Sequence, residues 1–241
     1  MYEKEIEQLQ EMINESSRIV FFGGAGVSTE SGIPDFRSAD GIYHQQYKYS
    51  PEQVVSHTFF MRYPEAFYEF YKEKMMALDA KPNPAHLKLA ELEKAGKLTA
   101  VVTQNIDGLH QAAGSRNVYE LHGSIHRNYC MNCGKFYDAG YVKNYDGVPR
   151  CECGGMIKPD VVLYEEGLDQ ATIQGAVRAI SQADMLIIGG TSLVVYPAAG
   201  FIDYFRGKYL AVINKSETAR SVRADLTIAA PIGEIMSKIR V

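Results

Sequence analysis

The stretch VVTQNIDGLHQAAG at 101–114 carries an apolar run into Gln104, Asn105 and Asp107, with His110 just beyond. Side chains of this kind at a strand end seek either water or a ligand. Upstream, VFFGGAGVSTESG takes an apolar run into clustered glycines and then into serine and threonine. Such a turn lets backbone N–H groups approach a pyrophosphate, with the positive end of a helix behind them. The usual dinucleotide fingerprint is not matched, because Gly24-x-Gly26-x-x lands on Thr29 and no acidic residue ends a following strand. IPDFR follows at once, placing Arg37 near any phosphates and Asp35 and Phe36 near whatever lies beyond. Taken alone, this turn fits a cofactor loop or a tight structural connection equally well. IIGGTSLVVYP repeats the pattern through Gly189 and Gly190 to Thr191 and Ser192, and AVIN ends on Asn214. Open α/β sheets bind ligands at the carboxyl ends of their strands, so four polar strand ends together point to one site.

The four cysteines form a second constellation, Cys130-x-x-Cys133 and Cys151-x-Cys153, with glycines behind each pair. Two close pairs in a segment lacking core residues suit tetrahedral zinc in a ribbon, although the second pair is one residue tighter than usual. No fifth ligand is evident, so the expected metal is structural. Disulfides are the alternative, and they conflict with the reducing compartment the rest of the sequence suggests. A redox pair would need a helix after Cys133 to stabilise a thiolate, and none is indicated.

The elements that must position these groups follow from the hydrophobic pattern. Ile6, Leu9 and Ile13 have helical spacing, and RIVFF, TAVVTQN, DVVLY, MLIIGG and YLAVIN read as strands. Helical stretches lie between them, among them DQATIQGAVRAISQA with Asp169 as N-cap. Strands alternating with helices predict an α/β fold with a parallel sheet. Two regions break the rhythm: 38–82, rich in Tyr, Phe and Met with a helix expected over YPEAFYEFYKEKMMAL, and 126–158, which holds every cysteine. These are expected to form a small second domain, a helical insert plus a zinc ribbon, on a large domain made of 1–37, 83–125 and 159–241.

At 241 residues the chain can bury a full core. Its net charge of −4 gives no broad electrostatic reason to bind nucleic acid or an anionic membrane. The first residues lack a basic-then-apolar leader pattern, and no apolar run is long enough to span a bilayer. A cytoplasmic protein is expected, with no membrane or nucleic-acid partner.

The motifs GAGVS, GIPDFR, TQNIDGLH, ELHGS, the two cysteine pairs, IKPDVV, GTSLVVYPAA and VIN stand in the order and approximate spacing of the sirtuins, the NAD-dependent protein deacylases. The resemblance covers about residues 18 to 235, and without long terminal extensions it is to the compact prokaryotic members. It implies a Rossmann-like domain holding NAD as co-substrate, one structural zinc, and an acyl-lysine peptide in the cleft between the two domains; a monomer is expected. By this resemblance Gln104 and the catalytic Asn105 meet the ribose next to nicotinamide, and Ile106 and Asp107 meet the carboxamide. Gly24, Ala25, Gly26, Ser28, Arg37, Gly190, Thr191 and Ser192 would hold the phosphates and adjoining ribose. Asn214 and Ile232 would lie at the adenosine, with Asp35 also at the cofactor, and Phe36 would cover the reacting ribose carbon. Val162, Gly167 and Leu168, with Val194 and Tyr196 opposite, would flank a substrate strand.

That chemistry requires a general base, for which histidine is suited because its pKa lies near working pH. Of six histidines, His122 sits between the short run VYEL and Gly123, where the backbone can turn into the cleft, and the family's HG match selects the same residue. His86 and His110 fit helix starts or core contacts, and His44, His57 and His126 fit surface or loop positions. Where many sirtuins have aromatic-Gly-Glu after the substrate strand, this chain has Tyr164-Glu165-Glu166, so glycine's conformational freedom is lost at Glu165. The Tyr-x-x-Arg pair of sirtuins that remove succinyl or malonyl groups has only Tyr71-x-x-Lys74 as its nearest counterpart, with Lys74 expected in solvent. Phe67, Phe70, Met75 and Met76 offer apolar surface to neutral acyl chains. Three activities remain open on the sequence: a lysine deacylase, a protein ADP-ribosyltransferase using the same site, and a non-enzymatic NAD-binding or zinc-ribbon module.

Overall fold

The computed structural model describes residues 2–35, 41, 49–216 and 223–241. Its large sheet is parallel, with strands β1 (Ile19–Gly23), β2 (Leu98–Thr103), β3 (Val118–Glu120), β7 (Met185–Gly189), β8 (Tyr209–Ile213) and β9 (Leu226–Ile228) in the order β3-β2-β1-β7-β8-β9. The order reverses direction between β1 and β7, which places the ligand crevice at their carboxyl ends. Strands IVFFG and MLIIG are buried along their whole length because helices cover both faces. Successive side chains alternate between those faces. Ile19 and Phe21 join the core under α1 (Glu3–Glu15), α5 (Pro84–Lys94) and α9 (Ile232–Met236). Val20 and Phe22 join the core under α8 (Gln170–Gln182). Asp169 caps α8 as expected, accepting from Thr172 N at 2.7 Å.

A second sheet is antiparallel: β5 (Phe136–Tyr137), β4 (Gly123–Cys130) and β6 (Ile157–Val161). DVVLY therefore does not supply a strand of the parallel sheet. Its first residues finish β6, whose alternating burial, with Lys158 and Asp160 only partly covered, marks a sheet with one dry face. The helical insert contributes α2 (Pro51–Val54), α3 (His57–Arg62) and α4 (Pro64–Phe70), which runs into a π-helical turn, Tyr71–Met75. Phe60, Phe67 and Tyr71 from the insert share one apolar core with Ile125, Val142 and Ile157 from the ribbon side. Tyr68 Oη also donates to the Ile157 carbonyl, and Lys72 Nζ donates to Gly147 O at 2.8 Å. The short helix α7 (Ala139–Asn144) completes this module.

The expected helix after the glycine loop is present only as two 3₁₀ turns, Ala25–Val27 and Thr29–Ser31, closed by Gly32 at φ 83°. Hydroxyl residues offer the backbone local alternatives to a helix, and Thr29 Oγ1 donates to Gly26 O at 3.1 Å. The loop is instead braced from α5. Its N-cap Asn83 donates Nδ2 to Val27 O at 2.7 Å and to Ser31 Oγ at 3.0 Å.

Beneath this brace lie His86, on α5, and His110, on α6 (Leu109–Ala113), with ring centroids 4.7 Å apart and both imidazoles buried. His86 Nδ1 accepts from Asn83 N, so both residues serve the core and helix starts as expected. Burial lowers the pKa of His86 to about 4 and that of His110 to about 3. Each is thus depressed below its unfolded value of about 6.5, and the unfolded chain binds the extra protons. Stability is undiminished above pH 6.5 and falls as pH drops from there towards 4 and 3, by roughly 2 kcal/mol per histidine at pH 5. His110→Gln is expected to flatten the profile of melting temperature against pH between 6.5 and 5, which thermal unfolding in that range measures.

Candidate functional site

Strands β1, β2 and β7 end at one level, and their polar termini bond to one another. Gly26 N donates to Gly190 O at 2.8 Å, and a Cβ on Gly26 would lie only 2.8 Å from Gly190 Cα. Gly190 itself has φ 59°, so neither loop can carry a side chain at the point of contact. Gln104 extends β2 by donating its N–H to Gly23 O at 3.0 Å, and its Nε2 donates to Thr191 Oγ1 at 3.0 Å. Asn105 Nδ2 donates to Ser28 Oγ at 3.0 Å, and Ser28 Oγ donates to Asp107 Oδ2 at 2.6 Å. The other carboxylate oxygen of Asp107 accepts from Leu109 N at 2.9 Å. The polar residues at the end of β2 thus form a hydrogen-bonded wall, which accounts for their presence at a buried strand end.

His122 occupies the turn between β3 and β4, and Gly123 makes the turn at φ 76° with its α-carbon against the Asp160 carbonyl. His122 Nδ1 lies 3.0 Å from Gln104 O. A carbonyl can only accept, so the proton sits on Nδ1 and the Nε2 lone pair is left for chemistry. Burial lowers the imidazole pKa below its ordinary value, and the bond to Gln104 opposes part of that shift. The neutral form therefore prevails at pH 7. Arg127 braces the turn from both sides, its Nη1 on Glu120 and its Nε on Asp160, each at 2.7 Å.

One cleft of about 600 Å³ gathers most of the residues singled out in the sequence. Gly24, Ala25, Gly26, Ser28, Asp35, Gln104, Asn105, Ile106, Asp107, His122, Gly190, Thr191, Ser192, Asn214 and Ile232 line it, as do Val162, Leu168 and Tyr196. Val194 lines an adjoining open groove of about 700 Å³ together with Tyr196, and Gly167 lines neither. Phe36, Arg37 and His44 lie outside the described residues. His57 is half-exposed and paired with Glu166, whereas His126 stands on β4 with Nε2 3.0 Å from Asp107 O, at the rim of the wall.

Several lining residues carry no sequence signal of their own: Val55 and Leu163 around the middle of the cleft, and Lys215, Ala230 and Pro231 near Asn214. Lys74 also lines the cleft. It is 24% exposed and paired with Glu73 at 2.8 Å, which corrects the expectation of a solvated charge. Tyr71 is fully buried in the small core, as are Phe67, Phe70 and Met76, so of that apolar set only Met75 reaches the cleft. The π-helical turn breaks the 3.6-residue phase and separates Tyr71 from Lys74.

The four cysteine Sγ atoms all lie within 4.8 Å of one another, with contacts of 3.5 Å between Cys130 and Cys153 and 3.6 Å between Cys133 and Cys151. No disulfide joins them. A tetrahedron of sulfurs around zinc at about 2.3 Å has edges near this spacing. Each pair sits in a turn closed by backbone bonds, Gly134 N to Cys130 O and Gly154 N to Cys151 O. The tighter Cys151-x-Cys153 spacing therefore still converges, and the donor set fits a structural zinc.

A family model described as the Sir2 family matches residues 24–197. An NAD-dependent protein deacetylase of Clostridium acetobutylicum is 62% identical over 238 residues, covering 97% of both chains. A solved Sir2 complex with p53 peptide and NAD+ has a TM-score of 0.85 at 40% identity, covering 96% of this chain and 95% of that one. A Sir2 variant bound to deacetylated p53 peptide and 3′-O-acetyl-ADP-ribose has a TM-score of 0.88 at 40% identity, covering 96% and 95%.

The metal cluster gives a direct test. Cys130→Ala is expected to abolish bound zinc and lower the melting temperature of the small module. Metal analysis and limited proteolysis of 126–158 check it; a zinc-free variant that stays folded and protease-resistant contradicts the structural role.

Proposed function

The chain belongs to the Sir2 family and is an NAD-dependent protein deacetylase, and we propose that His122 is its general base. The observation that carries this is the oriented, neutral imidazole of His122, with Nε2 unengaged among the described residues, in the same cleft as the wall formed by Gln104, Asn105, Ser28 and Asp107. The reaction consumes NAD and one water, releases nicotinamide and the free lysine amine, and leaves the acyl group as an ester on ADP-ribose. In this reading the glycine loops at 24–28 and 190–192 hold the phosphates, and Asn214 and Ile232 hold the adenosine end. Asn105 and Asp107 face the ribose and carboxamide. His122 Nε2 accepts the proton of a ribose hydroxyl as that oxygen attacks the acyl carbon, and the Gln104 carbonyl steadies the imidazolium that results.

The acyl-lysine enters between Tyr164–Glu165 and Val194–Tyr196, whose side chains border the cleft and the adjoining groove. Val55, Ile106, Leu163 and Met75 make the walls there apolar, which keeps water from the reacting ribose until the acyl group fills the space. An acyl-lysine protein or peptide is the proposed partner, bound by addition of its backbone as a strand beside Val162 and Val194. Residues 38–82 and 126–158 are assigned to the small domain, with β4 and β6 extending it to 123–161. Among the described residues no helix is long and apolar enough to cross a membrane.

His122→Ala is expected to leave NAD binding nearly intact and to lower deacetylation of an acetyl-lysine peptide at least about a hundredfold. The base must be neutral to act, so in the wild type the rate should rise with pH through a value below 6.5 and level off above it. Product mass spectrometry with a pH series reads both; near-normal turnover in the variant removes His122 from the mechanism. Acyl selectivity follows from the same walls. Lys74 is already paired with Glu73 and Tyr71 is buried away, and no described arginine lines the cleft to offer a guanidinium fork to an acyl carboxylate. Acetyl-lysine is expected to be preferred over succinyl-lysine by at least about tenfold in kcat/KM, or about 1.4 kcal/mol. Acetyl, butyryl and succinyl forms of one peptide measure it, and equal desuccinylation contradicts it.

A further inference from the structure

The loop leaving β6 forms one edge of the cleft, and Glu165 in it has φ 76°. A non-glycine residue keeps such a backbone conformation only where its surroundings over-determine it. Here they do. Glu165 Oε2 accepts from Thr58 N at 2.9 Å and from Thr58 Oγ1 at 2.7 Å, in the first turn of α3. These two bonds hold the carboxyl pKa below its usual value, although the side chain is exposed. The residues on either side bond to the same corner of the helical insert. Tyr164 pairs with Ser56 in a parallel bridge, with His57 N donating to Tyr164 O and Tyr164 N donating to Val55 O, each at 3.0 Å. Glu166 Oε1 lies 2.8 Å from His57 Nδ1, and its Oε2 accepts from Lys158 Nζ at 3.0 Å and Leu163 N at 2.9 Å.

We propose that Glu165 is a positioning residue for the acylated peptide: by clamping the β6 loop to Thr58 it presents a preformed edge to which the peptide adds as a strand. The inference rests on the reading of this cleft as a peptide site. A peptide that binds through its main chain gains most from an edge already held in the bound geometry, because ordering a loose loop subtracts from the binding free energy. Glu165 touches neither the glycine loops nor the Gln104 wall among its recorded bonds, so its effect falls on peptide rather than NAD.

This role separates from a purely structural one. Glycine at 165 accepts φ 76° without strain but forfeits both bonds to Thr58, so a merely structural role for Glu165 expects Glu165→Gly to move the melting temperature and leave peptide binding untouched. The clamp expects weaker peptide binding whichever way the melting temperature moves. Wild type, Glu165→Gly, Glu165→Gln and Thr58→Val would be compared by fluorescence anisotropy with a labelled acetyl-lysine peptide, and by steady-state kinetics with peptide and NAD varied in turn. Glu165→Gly should raise the peptide Kd and KM at least about fivefold with kcat and the NAD KM within about twofold. Glu165→Gln, which keeps an oxygen acceptor, should recover most of that loss. Thr58→Val should weaken peptide binding alone but add less than about twofold in the Glu165→Gly background. If wild type binds the peptide and Glu165→Gly binds it equally well, or loses NAD and peptide alike, the clamp is wrong. If wild type itself does not bind the peptide, the reading of the cleft fails and the inference with it.

Discussion

Gln104 is bonded in three directions, and the site depends on its staying there. Its N–H meets Gly23 O at the end of β1, its side chain meets Thr191 on the β7 side, and its carbonyl meets Nδ1 of His122. One residue thereby sets the height of three strand ends relative to one another and fixes which nitrogen of the imidazole is basic. Backbone register supports it from below, since β1 pairs with both β2 and β7 along its full length. A displacement of Gln104 would move the His122 imidazole and the glycine loops together. The polar groups around it are satisfied by one another and are flanked by apolar side chains, where hydrogen bonds act at low effective dielectric and fixed dipoles count for most.

The two modules contribute different physics to this arrangement. The parallel sheet, dry on both faces, supplies a rigid floor whose strand ends line the cleft. The small module has a one-sided antiparallel sheet and a core of aromatic side chains shared between two separate segments of chain. Its own stability depends on the cysteine cluster on one side and on the packing of Phe60, Phe67 and Tyr71 on the other. Polar contacts brace its margins: Arg127 between Glu120 and Asp160, and the Glu165–Thr58 and Glu166–His57 contacts at the β6 loop. Loss of the cysteine cluster would therefore loosen the module whose α3 braces the β6 loop.

Much of this was legible in the sequence because local pattern and function coincided. IVFFG and MLIIG are continuous apolar runs, as strands buried on both faces must be, and the polar residues after them marked the ligand end. The cysteine spacing carried the metal site without any knowledge of the fold. What was missed depended on partners distant in sequence or on a broken helical phase. DVVLY has strand composition, but its membership of the small sheet is set by pairing with β4, and only the alternation through Lys158 and Asp160 hinted at it. A lone lysine on a helix is ordinarily a solvated charge, yet Lys74 lies in the π turn Tyr71–Met75 and lines the cleft. Glu165 looked like the loss of a needed glycine because its compensating partner, Thr58, lies 107 positions away. The glycine loop suggested a helix start, yet its hydroxyl residues and Gly32 close it into 3₁₀ turns.

The Gln104 carbonyl holds His122 as the neutral Nδ1–H tautomer, which leaves Nε2 with its lone pair. Nitrogen-15 NMR of histidine-labelled protein at pH 7.5, with His122 assigned by comparison with His122→Ala, reads this directly. The expected spectrum shows Nδ1 protonated and Nε2 with the shift of an unprotonated ring nitrogen. An Nε2–H tautomer, or an imidazolium at that pH, would contradict it.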